Sequence, residues 1–232
     1  MMLHIMVILS MVTSLQAFAA KPIPSEVLQY DAKLKAYRAG KTSLPELYGF
    51  AQKVSEVLKG VLEDLTEEDF SLTEQKMEGF SINRDEVIFA EPLPGFFENL
   101  AMTKGTKSDK DFFSIWKKTK PDGVRWAFFE PQTDVTGCNH FNGTITDLYK
   151  SWKKYSKNYG TDYREIVDKI ISGLEKNLLE EDCICDSKEA ALKETANFIN
   201  ADLSESVKTK AKKRLADLKS NTGVKFNCVA TM

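Results

Sequence analysis

Histidine is almost missing from this chain: of 232 residues only two are histidine, His4 and His140. A site of several imidazoles around a metal is thereby excluded from the body of the chain, and any Ser-His-Asp or Cys-His relay has to run through His140. Phosphate-cradling glycine loops are also missing, with neither a G-x-G-x-x-G nor a G-x4-G-K pattern. Nucleotide cofactors therefore have no fingerprint here, and no cofactor is expected. The four cysteines lack the C-x2-C spacing of a zinc site, so no metal is expected either. The net charge of −2 supplies no basic field for nucleic acid, which is not expected as a partner.

Long apolar runs are scarce as well, with one exception at the start of the chain. Met1 to Leu15 is nearly continuous in apolar residues and is followed by Ala17-Phe18-Ala19-Ala20. That combination predicts a secretory signal over residues 1–19, cut after Ala19, although no Lys or Arg precedes the apolar core. No later stretch reaches 18 apolar residues, so no membrane span is expected after cleavage. Export to a periplasm or the outside would supply the oxidising compartment in which cysteines pair.

The cysteines that are present dictate the architecture. Cys183 and Cys185 stand one residue apart, and a disulfide between residues two apart is strained, so they should not pair with each other. Cys138 and Cys228 are then their partners, in either order: 138–183 with 185–228, or 138–185 with 183–228. Either way one junction clamps the middle of the chain and its tail.

The rest of the pattern is mostly helical. From Leu47 through Leu65, apolar residues recur at three- and four-residue spacing, and the same holds from Tyr163 to Leu178. Caps are expected at Ser25, Ser43, Thr66, Ser108 and Ser204, and capping boxes at Thr144, Asp162 and Asp186, each with an acid three residues on. Short β-prone runs occur at Glu86–Pro92, at Val124–Pro131 and in the tail Val224–Val229. The fold class that follows is mainly α: a single helical domain over 20–232 with a small two- or three-stranded β element, stapled by two disulfides.

Function is less legible. The segment from Asp134 to Thr144 is a polar, glycine-containing loop between an expected strand and an expected helix, a setting that often carries binding residues. Glu130, Asp134, Asn139, His140 and Phe141 are the candidate contact residues, and Asn142-Gly143-Thr144 is an N-glycosylation acceptor in a eukaryotic secretory route. No catalytic residue is assigned. Three functions remain in play. The first is an exported non-enzymatic interaction protein, such as an inhibitor, immunity or envelope-assembly partner, meeting another protein or an extracellular glycan. The second is a carboxylate-based hydrolase of an extracellular polymer using Glu91, Glu130 or Asp134. The third is a small-ligand carrier whose pocket is the aromatic cluster between Phe112 and Tyr163, which holds half of the chain's aromatic residues.

Overall fold

The computed structural model describes residues 23–85, 87–132 and 137–228. The expected signal segment, Asp134 and Val229 therefore lie outside the described residues. In the described residues the chain runs through helices α1 (Ser25–Arg38), α2 (Leu44–Lys59) and α3 (Glu67–Lys76), then a hairpin of β1 (Phe80–Asn83) and β2 (Phe89–Pro92). Helices α4 (Pro94–Lys104) and α5 (Lys107–Thr119) follow. Strands β3 (Phe129–Pro131) and β4 (Gly137–Asn139) then lead to α6 (Thr144–Tyr159) and α7 (Arg164–Glu180). The chain closes with β5 (Cys183–Ile184), α8 (Lys188–Ile199), α9 (Glu205–Ser220) and β6 (Lys225–Phe226). The helical, twice-stapled architecture stands, but the β content exceeds three strands. One two-stranded sheet pairs β1 with β2, and a four-stranded sheet has the order β3-β4-β5-β6.

Buried apolar side chains form one continuous cluster that runs from Val27 in α1 to Val224 beside β6. Its centre is aromatic. Phe112 stacks on Tyr163 with ring centroids 3.9 Å apart and meets Trp152 edge-on at 5.3 Å, while Tyr48 meets Phe97 and Phe113 edge-on at 4.9 Å each. Two polar atoms of this centre are committed inside it, since Trp152 Nε1 donates to Thr119 Oγ1 at 2.9 Å and Tyr163 Oη to Asp109 Oδ1 at 2.6 Å. The aromatic cluster is packed core, with ring on ring where a carrier would need space.

Local capping rules hold at some helix ends and yield to tertiary packing at others. Ser43 caps α2 in a full capping box with Glu46, whose carboxyl is held down to about 2 by hydrogen bonds from Thr42 and Ser43. Thr66 and Ser204 cap α3 and α9 as expected. At α1 the cap position is Pro24 and Ser25 is already helical. At α5 the cap is Thr106, boxed with Asp109, because Ser108 is buried and bonds Tyr155 Oη at 2.7 Å. Asp162 does not cap α7. Tyr163 takes that position with a left-handed φ of 55°, a conformation imposed by drawing its ring into the core and its hydroxyl onto buried Asp109.

The β-prone run from Val124 is likewise shortened. Asp122 Oδ1 accepts from the backbone of Val124 and Arg125, which holds them in a turn. Trp126 then lies against Gly173 of α7, where a Cβ would come within 3.0 Å of the indole. Pairing begins only at Phe129.

The four-stranded sheet is where the cysteines act. β4 and β5 run parallel with Asn139 opposite Ile184, and β5 and β6 run parallel with Ile184 opposite Phe226. The thiols beside Ile184 thus reach neighbours on opposite sides. Cys185 bonds Cys138 (Cα–Cα 5.3 Å) and Cys183 bonds Cys228 (Cα–Cα 5.8 Å). Of the two orders left open by spacing, this is 138–185 with 183–228. Each closes a loop of more than forty residues, which in the chain-entropy account stabilises the fold by about 4 kcal/mol per bridge. From α9, buried Arg214 donates to the carbonyl of Glu181, occupying an acceptor at the C-terminal end of α7 where the chain turns into β5.

Candidate functional site

The loop that leaves β4 is held from three directions. Its covalent anchor is the Cys138–Cys185 bridge, reinforced by the backbone N–H of Cys185 donating to Asn139 O at 3.0 Å. Its ionic anchor is His140. Nε2 lies 2.7 Å from Glu130 Oε2 on β3, and Nδ1 lies 3.2 Å from Asp186 Oδ1 just after β5. Burial pulls the His140 pKa down, but the hydrogen bonds to Asp186 and Glu130 outweigh it and leave the value raised; when protonated, the ring donates to a carboxylate at each nitrogen. The third anchor is the other oxygen of Asp186, which accepts from the Phe141 backbone N–H at 2.5 Å. That engagement explains why Asp186 does not cap α8. Ser187 next to it takes that task, accepting from Ala190 N.

Beyond the anchors, the loop turns into α6 without a cap of its own. Gly143 sits at the cap position with φ 103°, a left-handed conformation suited to glycine. Thr144 is the first helical residue, and its hydroxyl and N–H both donate to Asn142 Oδ1, at 2.6 and 3.2 Å. The capping function comes from another helix. Glu194 of α8 reaches across, and its Oε1 accepts from the Thr146 N–H at 2.8 Å and from Thr146 Oγ1 at 2.7 Å. A carboxylate there also suits the positive end of the helix dipole. Glu194 is 1% exposed, and its second oxygen, Oε2, is buried without a hydrogen-bond partner.

Glu194 lines, from beneath, a cavity of about 350 Å³ between the first turns of α6 and one face of α8. Phe141, Asn142 and Gly143 form its loop side, Asp147 and Lys150 its α6 rim, and Lys193 and Asn197 its α8 rim. A second, larger concavity of about 440 Å³ lies against α2 and α7, where Lys120 stands over Trp126 at 5.4 Å and over Trp116 at 5.9 Å.

Of the sequence candidates, Glu130 and His140 are paired directly. Phe141 is buried and contributes a cavity wall. Asn139 is buried too, with Nδ2 donating to Asn177 Oδ1 at 2.9 Å and to Glu181 Oε2 at 3.3 Å, so it fastens the loop to α7. Glu91 is elsewhere, on β2, where Lys59 Nζ pairs with it at 2.7 Å. Glu91 and Glu130 share no partner and line neither concavity.

A ligand oxygen of Glu130, a ring nitrogen of His140 and the sulfur of Cys185 lie within 4.8 Å of one another. That sulfur is bonded to Cys138 and is no thiolate, so in the stapled protein the group offers a cation only Glu130 and His140. The two decisive partners of the loop, Asp186 and Glu194, are absent from the sequence candidates. One signal pointed to Glu194: it occupies the i+3 place of the stripe that joins Ala191 to Phe198, and both of those are core residues.

No known protein family, curated protein or solved structure matches the chain.

Proposed function

We propose that the chain is an exported, non-enzymatic binding protein that presents the 139–143 loop and the adjoining α6–α8 cavity to another protein or an extracellular glycan, in the manner of an inhibitor, immunity or envelope-assembly partner. The observation that carries this reading is that the reactive groups of the site are spent on one another. His140 has a carboxylate at each nitrogen, and the nearby sulfurs are joined. A general base needs a free nitrogen and a nucleophile in reach. What the site offers outward is shape and a polar rim. Two disulfides and the absence, among the described residues, of a helix long and apolar enough to cross a membrane are compatible with life in an oxidising compartment.

The test is capture from the native compartment with immobilised, oxidised protein, alongside an Asn142→Trp variant that fills the exposed rim of the cavity. A partner retained by the wild type and lost by the variant is the expected result. Cleavage of an extracellular polymer by the purified protein, abolished by Glu130→Gln, would overturn the reading in favour of a hydrolase.

A further inference from the structure

We propose that the α6–α8 cavity binds a small zwitterion, a free α-amino acid, with its ammonium group on Glu194 Oε2 and its carboxylate facing Lys150 and Lys193. This goes beyond the binding reading above, which concerns a macromolecular partner, and stands apart from it. A carboxylate oxygen enclosed without a donor is expensive to desolvate, and the protein supplies hydrogen bonds to only one of the two oxygens of Glu194. Glu194 lines the cavity, and its Oε2 lies 3.8 Å from the place a Cβ would take on Gly143, another lining residue, so a molecule drawn in past the Gly143 backbone can bring the missing donor.

The donor that suits a carboxylate best is cationic, because charge-assisted hydrogen bonds are shorter and roughly twice as strong as neutral ones. The remaining charges narrow the ligand further. Lys193 is the residue before Glu194, and Lys150 stands one turn beyond Thr146, the residue that Glu194 caps. Neither lysine forms an ion pair among the described residues. With Glu194 at the floor and Asp147, Lys150 and Lys193 on the rims, the formal charges of the cavity cancel. A net cation would meet two lysines, and a net anion would meet two carboxylates. A neutral molecule with separated charges satisfies both ends. A volume of about 350 Å³ is at the small end of ligand pockets and suits a molecule of that size. Phe141 and Ala190 supply apolar wall for a side chain, while Asn142 and Asn197 supply neutral donors and acceptors at the mouth.

The experiment is isothermal titration of the oxidised full chain with each of the common amino acids, then with the N-acetyl derivative of the best binder, and then with the Glu194→Gln variant. Glutamine keeps an oxygen to accept from Thr146 and replaces the open oxygen with an amide N–H₂ that repels an ammonium. Acetylation of the ligand and Glu194→Gln should each weaken binding by at least about tenfold, which is about 1.4 kcal/mol. The inference is overturned if no amino acid binds, if the acetylated form binds equally well, or if folded Glu194→Gln binds unchanged. The acetylation arm uses unaltered protein, so a folding defect in the variant leaves the test standing. Capture of a macromolecular partner without any amino-acid binding would remove this inference and leave the binding reading intact. Amino-acid binding in a protein that captures no macromolecule would do the reverse.

Discussion

Removing the imidazolium between Glu130 and Asp186 should destabilise the protein by an amount that depends on pH in one direction only. His140→Gln is the perturbation. A hydrogen bond to a charged group contributes about 1.5–3 kcal/mol when shielded, but the His140 and Glu130 side chains are 32% and 41% exposed. Solvent screening brings each of the two contacts down to about 1 kcal/mol. The pair together is therefore worth about 2 kcal/mol, or roughly 4–8 °C in Tm for a chain of this length. The folded pKa of His140 is raised above its value of about 6.5 in the unfolded chain. Below that unfolded value both states carry the proton and the contribution is fully present. As pH rises through the raised folded value the native imidazolium is lost, and the contribution goes with it. Thermal unfolding of wild type and variant, followed by circular dichroism from about pH 5.5 upward, should give a Tm gap that is widest at the acid end and closes with rising pH. A gap that stays constant, or widens toward alkaline pH, would refute the ion-pair account of the loop.

Two further outcomes follow from burial. Tyr163→Phe keeps the stack on Phe112 but takes a donor from Asp109, which is 3% exposed, and should cost about 1.5–3 kcal/mol in urea unfolding; a loss under about 0.5 kcal/mol would mean that Thr106 alone satisfies that carboxylate. Under limiting dithiothreitol, alkylation should label Cys183 and Cys228, which are partly exposed, before Cys138 and Cys185, which are 0% and 5% exposed; the opposite order would contradict the placement of the inner bridge beneath the loop.

Helices were legible from sequence wherever one apolar stripe decided the matter, as in α2 and α7. Cap positions were legible only where the capping side chain had no competing use. Ser43, Thr66 and Ser204 are surface residues that bond their own helix, whereas Asp186 is taken by Phe141 and His140 more than forty residues away. Thr144 loses the cap position because Asn142 engages its hydroxyl and Glu194 replaces it from another helix. The two-residue strand β5 has no period to detect, and its neighbours are parallel strands distant in the chain. The one-residue spacing of Cys183 and Cys185 nevertheless ruled out a bond between them, which left both outer cysteines as partners. At the candidate site, His140 in a glycine-bearing loop is what the sequence alone singles out. Its chemistry depends on Asp186 and Glu194, whose roles arise only when the sheet and α8 have assembled around the loop.

All of this hangs on the bridge that joins the loop to the start of α8, and its connectivity can be read directly. Non-reduced peptides of the purified protein, fragmented by electron transfer so that the backbone breaks on either side of Ile184, should show Cys138 linked to Cys185 and Cys183 linked to Cys228. Cys138 linked to Cys183, or four free thiols, would contradict the account.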